Sequence, residues 1–285
     1  MTSPELRCYR HADRSAGVTC QRCDRPICPD CMIQASVGFQ CPNCAGRSTQ
    51  QVIRPAQSWA RGAGLERPPV TMTLIALNVA VYLLVSLRPQ WSLDGELIGR
   101  IVVPGVIELG VGQGEWWRLF TGGFMHASPM HLAFNMFALW SIGGALEQTF
   151  GAKRFAAVYM ACLLSGSFGV MLVSPGQRTV GASGAVFGLF GVLLALQLSR
   201  GIPLGQTRLG MVLAINLAFT FMARGISIGG HIGGLIGGII LGVAWFGPPR
   251  ARREPAPARS WAITIGFGVA VLLGAIAAAS VAPAI

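Results

Sequence analysis

Chemistry in this chain centres on Gly181-Ala182-Ser183-Gly184-Ala185-Val186-Phe187-Gly188, a serine among glycines at the start of an apolar run. Where chain enters helix, unbonded backbone amides can hold a developing oxyanion, and glycines let a second backbone approach. A serine nucleophile needs a base. The sequence offers four histidines, His11, His126, His131 and His231, and three of them lie in apolar surroundings. A buried histidine is often structural, but an ionisable group at membrane depth is costly and points to function.

Helix periodicity says how such residues could meet. His131 and Asn135 are four apart and share a helix face, from which both can donate to an oxyanion. His126, five residues earlier, either joins them or orders the loop before the helix. Small residues form one stripe at Gly184, Gly188, Gly191 and Ala195, and another at Gly230, Gly234, Gly238 and Gly242. Such stripes let helices pack closely, and this packing would carry His231 towards Ser183. No Asp or Glu lies in either run. Glu147 stands 16 residues beyond His131, roughly 24 Å along a helix. The expectation is a Ser–His dyad without a third acidic member. The Gly-x-Ser-x-Gly elbow of α/β-hydrolases does not match, since Ala185 holds its last position.

The elements that carry these residues are apolar. The 285 residues are 52% hydrophobic and 12% charged, with mean hydropathy +0.55, too apolar for a soluble protein of this size. Apolar runs at about 71–87, 128–147, 155–173, 181–198, 209–223, 226–247 and 261–283 predict seven helices of an all-α polytopic membrane protein. The first run begins near Val70, so no cleavable signal peptide is expected. Residues 88–127, with Glu96, Glu108, Glu115 and Trp116-Trp117-Arg118, suit a structured interfacial piece. The net charge of +11 comes from arginines spread between apolar runs, which argues for membrane topology and against nucleic acid. Of the Lys and Arg residues, 17 fall on the side of the N-terminus and five on the other, so the N-terminus is expected in the cytosol and the C-terminus outside.

Seven of eight cysteines precede residue 45, and Cys162 sits alone in an apolar run, where packing explains it. The others read Cys8-x2-His11, Cys20-x2-Cys23, Cys28-x2-Cys31 and Cys41-x2-Cys44: eight ligands, enough for two tetrahedral structural zinc ions. A segment this short folds with metal help. A disulfide-rich extracellular module suits the histidine less well, and a reducing cytosol keeps thiolates available. The spacing resembles a B-box zinc finger whose closing histidine pair is replaced by Cys41 and Cys44. That resemblance implies interleaved sites, Cys8, His11, Cys28 and Cys31 on one zinc and Cys20, Cys23, Cys41 and Cys44 on the other; sequential pairing stays open. RING-type ubiquitin-ligase spacing fits poorly, so recognition of a cytosolic protein partner or regulation is the expected use.

Trp117-Arg118, His126-x4-His131-x3-Asn135, Gly181-Ala182-Ser183-Gly184 and Gly230-His231 with Gly234 and Gly238 together resemble the rhomboid family of intramembrane serine proteases. The resemblance spans about residues 71–247. It implies a six-helix rhomboid core plus one C-terminal transmembrane helix, Ser183 as nucleophile, His231 as general base, and His131, Asn135 and the Ser183 amide around the oxyanion. It also implies a structural Glu147, lateral substrate access near the fifth helix, and catalysis without a cofactor. The expected domains are a zinc-binding module at 1–47, a linker at 48–69, the protease domain at 70–247, a basic linker at 248–260 and a seventh helix at 261–285. The expected setting is a bacterial-type plasma membrane, with transmembrane proteins as substrates cut near the outer boundary. A catalytically silent rhomboid-like scaffold that binds transmembrane clients and recruits a cytosolic partner through the zinc module is the alternative. A transporter would need a polar path, whereas the polar groups here gather at one end.

Overall fold

The computed structural model describes residues 6–34, 38–45, 68–102, 108–223, 225–251 and 256–282. Most of the expected linker at 48–69 lies outside them. The chain divides into two compact units, Met1–Leu65 and Glu66–Ile285.

The first unit is built from two minimal antiparallel hairpins. Strand β1 (Val18–Thr19) pairs with β2 (Pro26–Ile27), and β3 (Ile33–Gln34) with β4 (Phe39–Gln40), followed by one turn of helix, α1 (Pro42–Ala45). Among the described residues, its buried apolar side chains apart from Ile27 are cysteines: Cys8, Cys20, Cys28, Cys31 and Cys41. Cys8, His11, Cys28 and Cys31 form one group and Cys20, Cys23, Cys41 and Cys44 a second, the ligand atoms of each within 4.8 Å of one another. The grouping is interleaved. The separations suit a tetrahedral ion: zinc–sulfur bonds of about 2.3 Å put sulfurs about 3.8 Å apart, and a nitrogen about 3.5 Å from a sulfur. Cys23 Sγ and Cys41 Sγ are 3.8 Å apart, and His11 Nδ1 lies 3.4 Å from both Cys28 Sγ and Cys31 Sγ.

The second unit is helical. Its long helices are α2 (Pro69–Leu87), α5 (Pro129–Phe150), α6 (Ala152–Val173), α7 (Ser183–Ser199), α8 (Arg208–Met222), α9 (Ile228–Phe246) and α10 (Pro257–Ser280), each on one of the apolar runs. By length and composition α2, α6, α9 and α10 can cross a membrane, while α7 and α8 are shorter. Exposed Phe134, Phe137 and Trp140 on α5, and Phe219, Phe221 and Met222 at the end of α8, give the unit an apolar exterior.

Glycine fixes the centre of the bundle. A Cβ on Gly234 or Gly238 of α9 would collide with the carbonyl oxygens of Gly184 and Gly188 on α7, so these helices touch backbone to backbone. The same holds on α6, where a Cβ at Gly169 would strike the Gly229 carbonyl. Helix α6 therefore joins the pair that the sequence stripes identify. Helix α10 belongs to the same unit: its Val271, Ala275 and Ala279 are buried with Leu164, Val170 and Met171 of α6.

Glu147 ties the last turn of α5 to the first turn of α2. It is 4% exposed, and its carboxylate accepts from Val70 N at 2.9 Å, Thr71 N at 2.8 Å and Thr71 Oγ1 at 2.8 Å. A buried carboxyl group that accepts three hydrogen bonds at a helix N-terminus satisfies donors the helix leaves free.

Between α2 and α5 lie two short helices, α3 (Gln90–Gly95) and α4 (Arg118–Thr121), with irregular chain between. Arg118, 1% exposed, holds this segment together: it pairs with Glu115 at 2.7 Å and donates to the carbonyls of Leu93 and Glu96. Trp117 Nε1 donates to the Asp94 carbonyl. The segment between α2 and α5 is thus ordered by polar contacts among its own described residues.

Candidate active site

Ser183 is the first residue of α7, after Ala182 at the N-cap, so its amide is free of the helix ladder. The chain leading to it is anchored on the segment between α2 and α5. Thr179 and Leu97 exchange backbone hydrogen bonds at 2.8 and 3.0 Å, and Gly181 N donates to Gly122 O at 3.0 Å. Gly181 has φ +128, a conformation that disfavours side chains. A Cβ there would lie 2.7 Å from His131 Cε1, 2.8 Å from His131 Nε2 and 3.6 Å from Ser183 Oγ. The absent side chain is what lets the His131 ring and the serine face one space.

His131 sits in the first turn of α5, whose N-cap Ser128 accepts from the His131 amide at 3.2 Å. One turn on, Asn135 Nδ2 donates to the His131 carbonyl at 3.0 Å, leaving its second N–H uncommitted in that bond. His126 meets His131 edge to face, with centroids 5.1 Å apart. Both His126 ring nitrogens are buried without a partner among the described residues. Burial, and then the neighbouring His131, push its pKa down to about 4. It is neutral near pH 7.

His231 lies in the first turn of α9, which Ser227 caps by accepting from Gly230 N at 3.1 Å. Its ring, 9% exposed, stacks on Phe187 with centroids 4.2 Å apart and planes 19° apart, and its Nδ1 lies 2.7 Å from Thr220 Oγ1 of α8. Among the described residues Ser183 Oγ makes no hydrogen bond, and Thr220 is the side-chain partner of His231. Beside Ser183 a cavity of about 30 Å³ is lined by Leu97, Gly122, Leu163, Ser167, Thr179 and Gly230 among others. It has room for about one water molecule or a small side chain.

The N-terminal turns of α5, α7 and α9 therefore gather His131, Asn135, Ser183 and His231 at one end of the bundle. Two neighbours escaped the sequence reading. Phe187 is four residues past Ser183 and so on its helix face; Thr220 is a hydroxyl inside a short apolar run. Glu147, at the far end of α5, is not part of the site.

A rhomboid domain model matches residues 113–248. Over 155 residues the chain is 39% identical to the putative rhomboid protease YdcA of Bacillus subtilis, covering 54% of this chain and 75% of that protein. It belongs to the rhomboid family. The chain is also 39% identical to the rhomboid protease GluP of Bacillus subtilis over 168 residues, 58% of this chain and 32% of GluP. The rhomboid protease GlpG of Photorhabdus laumondii is 29% identical over 123 residues, 43% of this chain and 40% of GlpG. This rhomboid thus spans about a third of GluP, and its first unit lies outside the domain match.

Proposed function

We propose that this chain is an intramembrane serine endopeptidase that cleaves transmembrane proteins. The observation that carries the reading is the gathering of a helix-start serine, a buried histidine and two further donor side chains at one end of an apolar bundle. Relatives named as rhomboid proteases support the reaction class.

In this reading Ser183 Oγ attacks the scissile carbonyl carbon while His231 takes the hydroxyl proton. The carbonyl oxygen becomes an oxyanion that accepts from the Ser183 amide, His131 and the free N–H of Asn135. Collapse breaks the peptide C–N bond, and the imidazolium returns its proton to the leaving amine. Water, deprotonated by His231, then hydrolyses the acyl-enzyme and regenerates the serine. His231 acts without a carboxylate, as a Ser–His dyad. Among the described residues no hydrogen bond joins Ser183 Oγ to His231; in this reading it forms as substrate is bound, since catalytic hydrogen bonds often tighten only in the complex.

The arginine distribution supports an N-terminus in the cytosol and a C-terminus outside, and in this reading the site lies near the outer boundary of a bacterial-type plasma membrane. A substrate cut there must leave its helical hydrogen bonds, which small helix-breaking residues favour. We assign residues 70–247 to the protease domain, followed by a basic linker at 248–260 and a C-terminal helix at 261–285. Residues 1–47 form a B-box-like module on two structural zinc ions that recruits a cytosolic protein, joined through a linker at 48–69. Their thiolate-rich donor sets suit zinc, whose role there is to hold the hairpins together.

The test is covalent labelling of the purified full-length chain by a fluorophosphonate probe. Labelling lost in both Ser183→Ala and His231→Ala is the expected result. A folded wild-type chain that stays unlabelled, beside a rhomboid protease that labels, sinks the reading in favour of a client-binding scaffold.

A further inference from the structure

Helix α8 contributes three buried residues, Leu209, Leu213 and Thr220, and the last is its buried polar one. Thr220 is 1% exposed. Its Oγ1 donates to the Asn216 carbonyl at 2.8 Å and lies 2.7 Å from His231 Nδ1. Back-bonding of a threonine to the carbonyl four residues earlier is ordinary inside an apolar helix. The second contact is not. A hydroxyl has one hydrogen, and here it is committed to Asn216, so Thr220 can only accept from His231. The proton of a neutral His231 ring then resides on Nδ1, and Nε2 carries the lone pair.

We propose that Thr220 is the positioning residue of the general base, fixing the His231 tautomer through a relay from Nδ1–H to Oγ1 and on to the Asn216 carbonyl. This rests on the serine-protease reading of the site. In a catalytic triad a carboxylate holds the ring nitrogen that does not face the serine. Here a neutral hydroxyl occupies that place, made a better acceptor by donating onward. Phe187 fixes the plane of the ring, and Thr220 fixes its rotation and its proton. The base on α9 is thereby oriented from a different helix, α8, whose apolar side is exposed at Met211, Ile215 and Phe219.

The experiment compares full-length wild type, Thr220→Val, Thr220→Ser and Ser183→Ala, with a fluorophosphonate as probe. The inactivation rate at saturation and the half-saturating concentration are measured separately. Thr220→Val keeps the shape and removes the acceptor. It is expected to lower the saturating rate about 10-fold, the lower range for a residue that acts through another, with half-saturation within about 2-fold. Thr220→Ser is expected to stay within about 3-fold of wild type. Wild-type labelling by Thr220→Val, or a loss in Thr220→Ser as large as in Thr220→Val, overturns the proposal. A second readout is the 15N spectrum of histidine-labelled wild type, with His231→Gln for assignment. It should show Nδ1 protonated and Nε2 bare; the opposite tautomer overturns the proposal even if Thr220→Val does not fold. Undiminished labelling of Ser183→Ala would sink the dyad reading instead, and the tautomer measurement still decides the role of Thr220.

Discussion

Phe187 lies flat against His231, with ring centroids 4.2 Å apart and planes 19° apart. One turn of α7 thus carries both Ser183 and the surface on which its proposed base rests. Phe187→Ala should leave the imidazole free to rotate and lower the rate of serine labelling about 10-fold, while Phe187→Tyr should hold it near wild type. Measured rates that are equal for all three would show that the stack has no part in positioning the base.

Asn135 should matter at the transition state rather than in binding. Its second N–H is aimed by the first, which donates to the His131 carbonyl at 3.0 Å. Loss of one oxyanion donor typically costs about 100-fold or more in kcat. Asn135→Ala is expected to lower kcat for a transmembrane substrate by that order, with KM changed little. A KM effect with kcat intact would reassign Asn135 to substrate binding.

The glycine contacts make a prediction with an internal control. A Cβ on Gly238 would collide with the Gly188 carbonyl oxygen, and backbone cannot rotate away as a side chain can. Gly238→Ala should push α9 off α7, lower the thermal midpoint and abolish labelling. Gly266 on α10 meets nothing within 4 Å, so Gly266→Ala should be neutral or slightly stabilising. Equal midpoints for the two variants would mean that the α7–α9 contact is not what holds the site.

Much of this architecture is legible in the sequence because it rests on local periodicity. The seven apolar runs, the His131–Asn135 pair on one helix face and the two glycine stripes need only the 3.6-residue repeat. The interleaved thiols came from a resemblance, since spacing alone leaves sequential pairing open. What stays hidden depends on contacts between segments far apart in the chain. Nothing local marks Gly169 as the seat of Gly229, or Thr220 as the partner of His231; each is an ordinary residue until a second helix arrives. The stack of Phe187 lay within reach of the helix repeat, yet an aromatic in an apolar helix reads first as core.

Glu147 supplies a stability prediction away from the chemistry. Its carboxylate accepts three hydrogen bonds from the first turn of α2, two of them from backbone amides that have no helical partner. Glu147→Ala would bury these donors unsatisfied, at a cost of about 3 kcal/mol. The expected result is a lower thermal midpoint with Ser183 still labelled below it. Glu147→Gln, which keeps an acceptor, should lose less. An unchanged midpoint in Glu147→Ala would show that water reaches the helix start.

Metal binding by the first unit should be steeply pH-dependent. Burial works against the Cys8 and Cys20 thiolates, but backbone amides outweigh it and bring both thiols down to about 6. Their neighbours go the other way. Burial, then hydrogen bonds with Cys8 and Cys28, push Cys31 up to about 11; hydrogen bonds with Cys23 and Cys41, then burial, push Cys44 up to about 12. Near pH 7 each site without metal therefore mixes thiolate and thiol, and a divalent cation must displace protons to gather all its ligands. The sign follows: affinity rises with pH, because fewer protons are displaced, and falls below about pH 6 as Cys8 and Cys20 also protonate. Zinc analysis of the full-length chain is expected to give about two ions per chain at pH 7.5, proton release on zinc addition, and loss of both ions near pH 5. Cys28→Ser should remove one ion and leave the other, since Cys28 belongs to one group only. Binding that is flat between pH 5 and 8 would mean that the thiols are not the ligands.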